Sequence, residues 1–215
     1  MVFLGLNMRK RMMNKQNHIC ILLITLISFV SCTVSKIYPK EYYAQHRATM
    51  HEMESQYDKL TQQKLIAVAF YDLDYNDISI EMKTDTVRYI YDFKYGEKRI
   101  NDSLFKFGYD TTLTQQLIKN MRSIGCSWIN TLDYYTDGNK KLLLFMSAPA
   151  KQFSLFPVLQ KRKYYLFHFY EQPQYYDEQG RLLEKRKLRH LRKINSEVFW
   201  RINDKVCYTV SGKFR

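Results

Sequence analysis

The amino-acid sequence predicts an α+β fold: a mostly antiparallel sheet of about eight strands with two helices, after an N-terminal signal segment. Two observations carry this. Only two long stretches repeat their apolar residues at spacings of three and four, whereas most of the remainder alternates or runs apolar over strand lengths. The connections between neighbouring runs are short and rich in turn residues, which favours hairpins over parallel crossovers.

Residues 41–64 read as the first helix. Ala44, Ala48, Met50, Met53, Tyr57 and Leu60 share one side, and Glu41, Arg47, Glu52, Glu54, Asp58 and Lys59 the other. Leu65–Tyr71 is nearly all apolar, as a buried strand is. Asp74-Tyr75-Asn76-Asp77 has turn chemistry, Ile78–Met82 alternates behind it, and Val87–Tyr95 alternates again. Gly96-Glu97 turns the chain, and Ser103–Gly108 is expected to return as a strand. The second helix is specified best. Asp110, Thr111 and Thr112 offer N-caps, and Thr112 with Gln115 has the capping-box spacing. Leu113, Leu117, Met121 and Ile124 form its stripe, and Gly125 suits the position after its last turn.

Asp137-Gly138, between Trp128–Tyr135 and Lys140–Met146, predicts a type I′ hairpin. Pro149 and Pro157 bracket an irregular or edge stretch, and Lys163–Glu171 is a strongly aromatic strand. Gln179-Gly180 turns the chain again. Leu182–Lys193 fits either a basic amphipathic helix or a strand paired through Asn195-Ser196 with Val198–Ile202. The β-favouring neighbours Phe199, Trp200 and Val206–Val210 tip the choice to strands.

Ahead of these elements, Arg9-Lys10-Arg11 and Lys15 precede an apolar run of 12 residues, Ile19–Val30, that closes on Ser31-Cys32. A bilayer-spanning helix needs about 20 residues, whereas a basic flank, a short apolar core and a small residue describe an export signal. Phe29-Val30-Ser31-Cys32 resembles the lipobox of bacterial lipoprotein precursors. Phe29 stands where Leu is commoner and Ser31 where Ala or Gly is, a looser pattern that resembles Bacteroidota lipoproteins. The resemblance covers the first 32 residues. It implies cleavage before Cys32 and attachment of lipid, palmitate among it, to that cysteine. The chain then divides into a signal peptide (1–31), a lipidated tether (32–40) and a single α+β domain (41–215). Each buried methylene of the lipid is worth roughly 0.8 kcal/mol, so two or three chains hold a protein at a membrane. Thr33 stands where enterobacterial inner-membrane lipoproteins carry Asp, which favours the outer membrane. A fainter likeness to Bacteroidota lipoproteins runs through Phe153–Pro157, the aromatic strand and Val198-Phe199-Trp200, and implies no activity.

The whole chain carries a net charge of +13. Residues 1–31 hold four cations, residues 32–150 balance 15 Lys+Arg against 15 Asp+Glu, and residues 151–215 hold 15 against 6, net +9. The excess beyond the signal therefore sits in the last third. Lys161, Arg162, Lys163, Lys185, Arg186 and Lys187 are the expected anion-binding residues, facing acidic glycan, lipid headgroups or another envelope protein. The competing reading is a solvated basic face. Export argues against nucleic acid as a partner. Cys20 and Cys32 belong to the signal, leaving Cys126 and Cys207. An oxidising compartment permits a disulfide between them, although two separate buried thiols is the preferred reading.

No cofactor or metal is expected. His51-Glu52 opens a zincin-like pattern, but Ser55 stands where the second His must be. Asp72, Asp74 and Asn76 imitate a calcium loop, yet Asp77 replaces its glycine and Lys83 its bidentate Glu, so a turn explains them better. There is no Gly-x-Ser-x-Gly elbow and no phosphate-cradling glycine loop. Cys126 with His168 or His190 is a thiol–imidazole candidate, but His168 inside an aromatic strand reads as a packed residue. Tyrosine pairs at 42–43, 134–135, 164–165 and 175–176 leave one ring of each outside any single core, for the back of the sheet or a binding surface. The expectation is a lipid-anchored cell-envelope protein for binding or assembly rather than catalysis. The alternative is an envelope hydrolase whose site assembles only in three dimensions.

Overall fold

The computed structural model describes residues 38–62, 64–84, 86–136, 139–150, 162–184 and 187–212. The chain divides into two compact units, Met1–Tyr42 and Tyr43–Arg215. In the first, residues 38–42 are described and begin helix α1, which runs to residue 61. There follow β1 (Ile66–Phe70), β2 (Asp77–Lys83), β3 (Arg88–Lys94), α2 (Arg99–Lys106), α3 (Thr111–Ile124), β4 (Trp128–Thr136) and β5 (Asn139–Pro149). After these come β6 (Tyr164–Phe169), β7 (Leu183–Glu184), β8 (Lys187–Leu191), β9 (Lys193–Ile194), β10 (Glu197–Val198), β11 (Trp200–Arg201) and β12 (Val206–Ser211). The fold is α+β: eight strands form one antiparallel sheet in the order β11-β12-β6-β5-β4-β1-β2-β3, and β7-β8 and β9-β10 are two small hairpins.

Register follows from burial. Tyr208, Phe167, Met146, Ile129, Val68, Ile80 and Tyr91 form one row across seven strands, all on the same face. Phe167, Met146, Ile129, Val68 and Ile80 are at most 1% exposed, and each such side chain contributes about 1.5–3 kcal/mol. Helices cover this face. From α1, the Tyr43 ring lies 6.4 Å from both Phe167 and Phe169. From α3, Leu117, Ile118, Met121 and Ile124 are buried, and from α2, Ile100 and Leu104. On the opposite face, Tyr134, Leu143, Tyr170 and Cys207 form a second core with Leu182 and Phe199 of the C-terminal excursion.

Three local expectations are corrected. Ser103–Gly108 is not a strand; it belongs to α2 and the turn after it. The helical spacing appears only when Ile100 is read with Leu104, because Leu104, Phe105 and Phe107 alone look like a short apolar run. The described residues thus hold three helices. In α1, Ala44 and Ala48 are exposed, and the buried stripe is Tyr43, Met50, Met53, Tyr57 and Leu60. In α3 the cap is Asp110, whose carboxylate accepts from Leu113 N at 2.9 Å, so Thr112 with Gln115 is not a capping box. Gly125 ends the helix in the left-handed region, at φ 68°.

The Asn195-Ser196 turn holds, but one expected pairing is also corrected. Leu182–Lys193 is not one strand facing Val198–Ile202, because β7 pairs with β8, only Lys193 faces Val198, and Trp200-Arg201 pairs with β12. β4 and β5 pair up to Thr136 with Asn139, around Asp137 and Gly138, which lie outside the described residues, as does Pro157. Asn195-Ser196 joins β9 to β10 with Ile194 opposite Glu197, and both turn residues have positive φ, 53° and 67°. A type I′ turn needs that geometry, and a non-glycine residue in it costs about 1–2 kcal/mol. Ser196→Gly should therefore raise stability by about 0.5–1 kcal/mol, after glycine's own entropic cost. A higher urea midpoint at unchanged m-value is the expected result, and a lower midpoint would contradict the assignment of this turn.

Candidate functional site

A groove of about 390 Å³ opens where the end of β3 meets α2 and α3. Glu97 turns the chain there: its carboxylate accepts from Lys94 N at 2.9 Å, and Gly96 takes φ 79°. Tyr95 lines one side, and Asn101 of α2 another. Along α3, Thr111, Gln115 and Lys119 recur at spacings of four and line the groove, with Thr112 and Gln116 beside them. The other side of α3 is buried, so one helix serves the core and the groove.

Two contacts order the walls. Gln115 Nε2 donates to Asn101 Oδ1 at 3.0 Å, tying α3 to α2. The Arg122 guanidinium lies 4.3 Å from the Tyr95 ring centroid, and its Nη2 is 3.4 Å from Asn76 Oδ1. Among the described residues no carboxylate lines the groove, and Lys119 is its one charged lining group. Sequence reasoning missed this site because Tyr95, Asn101 and Gln115 meet only through packing. The one usable signal was Gln115, which looked like half of a capping box.

The expected anion-binding residues divide. Lys161, Lys185 and Arg186 lie outside the described residues, and only the backbone of Lys187, opening β8, is described. Arg162 and Lys163 are exposed just before β6. The β7-β8 hairpin is rooted elsewhere: Leu182 belongs to the core around Tyr170, and Arg192 N donates to Leu182 O at 2.9 Å. Lys163 and Tyr170 are seven residues apart along one strand, or about 23 Å. Arg192, part of the basic run, serves packing instead. It is half-buried over the Tyr134 and Tyr170 rings, at 5.9 and 5.4 Å, and its Nη1 donates to Gln174 Oε1 at 3.0 Å.

Cys126 and Cys207 are free and buried. Cys207 aligns with His168, Phe145 and Asn130 across three strand spacings, and Cys126 lies four residues before Asn130. Those steps separate the Cα atoms by about 20 Å, whereas a disulfide needs about 4.4–6.8 Å. The Cys126–Cys207 disulfide is thereby ruled out of this fold. Cys126 Sγ donates to Trp128 O at 3.4 Å. Burial pushes both thiols up to about 12, which keeps them neutral.

The fold places Cys207, not Cys126, beside His168. This pair is not an activated one. His168 is buried, 4.4 Å from the Phe199 centroid and 5.7 Å from that of Phe145, and burial with Arg192 nearby brings its pKa down to about 3. A thiolate–imidazolium pair would shift both groups the other way. His190 is exposed on β8. His51 is bound by Glu54 at 2.8 Å and by the Tyr43 hydroxyl at 3.0 Å. The Asp72 carboxylate accepts from the backbone of Asn76 and Asp77 at 2.9 Å, so it closes a turn. Among the described residues no group of three or more His, Cys, Asp or Glu side chains can hold a metal.

No protein-family model, no curated protein and no solved structure matches this chain.

The His168 environment makes stability depend on pH. Its folded pKa of about 3 lies below the ordinary 6.5, so its contribution is complete above pH about 6.5 and is lost as pH falls toward 3. Between those limits the unfolded chain binds one more proton there, a slope of about 1.4 kcal/mol per pH unit. His168→Phe should flatten the dependence of unfolding free energy between pH 6.5 and 4.5 by up to that amount. At pH 7 the variant should stay within about 1.5 kcal/mol of the parent. Equal slopes in urea titrations would refute the assignment.

Proposed function

We propose that the chain is a lipoprotein of the bacterial cell envelope, held to a membrane (the outer one favoured) through Cys32. Its α+β unit acts as a non-catalytic module for binding or assembly. The order of basic flank, 12 apolar residues and Ser31-Cys32 carries this reading. Cys32 and all residues up to 37 lie outside the described residues. Among the described residues no helix is long and apolar enough to cross a membrane. Burial pushes the Cys126 thiol up to about 12, which weighs against it as the nucleophile of the hydrolase alternative but leaves the acids on which that alternative also drew. The partner we propose for the basic residues is acidic: glycan, lipid headgroups or another envelope protein.

Growth of a bacterial host with radiolabelled palmitate tests the anchor. The wild-type chain should carry label and sediment with membranes, and Cys32→Ala should lose the label. Unlabelled wild-type protein, or a Cys32→Ala chain labelled like wild type, would overturn the lipoprotein reading.

The acidic partner is tested on Cys32→Ala protein, so that no lipid contributes. Replacing Lys161, Arg162, Lys163, Lys185, Arg186 and Lys187 by Gln should abolish co-sedimentation with anionic phospholipid vesicles at low salt. The unsubstituted chain should release as salt approaches about 0.15 M. Identical sedimentation of both proteins would mean that these cations are only a solvated face.

A further inference from the structure

We infer that the groove between β3, α2 and α3 is a saccharide-binding site, with Tyr95 as the platform for a sugar ring. The inference rests on the binding-module reading but not on the lipid anchor. A groove of about 390 Å³ falls in the range of small-ligand sites, and its lining narrows the ligand class.

A purely apolar ligand fits poorly, because every lining side chain carries a polar group that it would leave unpaired. A phosphorylated ligand fits poorly too. Lys119 is the one lining cation, and the Asp110 carboxylate already occupies the start of α3, where a phosphate would otherwise sit. A cationic ligand has no lining carboxylate to meet. What remains is a neutral or weakly anionic molecule dense in hydroxyl groups.

The side chains present suit that molecule. Asn101, Gln115 and Gln116 each offer an amide donor and acceptor, and Thr111 adds a hydroxyl. The Gln115–Asn101 bond uses one donor and one acceptor, leaving the Gln115 carbonyl and the Asn101 amino group for a ligand. Tyr95 supplies the apolar surface on which the C–H face of a sugar ring packs. Arg122 is not among the lining residues; its guanidinium lies 4.3 Å from the Tyr95 ring centroid, a contact that restrains the ring. A pre-positioned ring loses less conformational entropy when a ligand arrives.

The test uses the full chain in a detergent without a sugar headgroup. An N-acetylglucosamine trimer and a galacturonic acid trimer are titrated by calorimetry and by tyrosine fluorescence. At least one should bind saturably, with Kd below about 10 mM. Tyr95→Ala should weaken binding about tenfold or more, and Tyr95→Phe should retain it, since the ring stays. Gln115→Ala should weaken it as well. Circular dichroism and the thermal midpoint of each variant establish that it is folded, and any variant that is not is replaced by Asn101→Ala. Lys119→Ala should weaken the uronic acid trimer alone if the natural glycan is acidic. The absence of saturable binding of either trimer up to about 10 mM, or equal binding by folded Tyr95→Ala, would overturn the inference. Sugar binding by a chain that takes up no palmitate would retain this site and remove the anchor; the converse result would do the opposite.

Discussion

The sheet is buried on both faces across β6, β5 and β12, and that requirement governs the rest of the structure. Phe167 and Tyr208 face the helices, while their neighbours His168 and Cys207 face the C-terminal excursion. A slip of one residue in any of these strands would exchange the two sets. The described helices cover one face, and Leu182 and Phe199 of the C-terminal excursion pack over the other. This explains the chemistry of the rear core. A histidine and a thiol placed among aromatic rings lose water; Arg192 adds to that effect on the imidazole and does not outweigh it on the thiol, so both stay neutral. Their proximity is a product of packing.

Tyrosine hydroxyls then attach the outer elements to the sheet. Tyr57 of α1 donates to Ile66 O, Tyr109 before α3 donates to Leu65 O at 2.9 Å, and Tyr75 donates to Gly125 O at 2.7 Å. Each ring is partly or wholly buried while its hydroxyl satisfies a carbonyl at the end of an element. Two of these bonds converge on the entry to β1, so α1 and the start of α3 are referred to the same strand. The α3 wall of the groove is thereby positioned by the core, while Tyr95 is held in the turn after β3. Much of the high tyrosine content is explained here, and by Tyr134, Tyr170 and Tyr176 in the rear core.

How much was legible in the sequence varied with the range of the interaction. Local signals worked: Gly125, Asn195-Ser196 and the alternation from Val87 to Tyr95 each specify backbone geometry from adjacent residues. The α+β class followed from the same periodicities. α2 was missed because eight residues offer too few turns for a period to show, and its burial depends on only Ile100 and Leu104. The stripe of α1 was misplaced because alanine is nearly neutral between core and solvent, so Ala44 and Ala48 carried little information. Charge was the least legible. Arg192 stands in a basic run yet works as the cover of two tyrosine rings, a role that depends on residues far away in sequence. The groove was invisible for the same reason, since Asn101 and Gln115 belong to different helices and Tyr95 to neither.

On the proposed reading, the division of charge would separate two kinds of recognition within one chain. Residues 32–150, which contain the whole groove, are electrically balanced, whereas residues 151–215 carry net +9. Attraction by exposed cations such as Arg162 and Lys163 is long-ranged and weakens once separations exceed the Debye length, about 8 Å at physiological salt. Ring packing on Tyr95 and hydrogen bonding to the α2 and α3 amides act at contact and are little affected by salt. An acidic polymer at the bacterial surface would meet both, first through charge and then through the shape of single residues. On that reading the basic residues would bear on encounter rate and the groove on discrimination, which is how charged and contact terms divide in most associations.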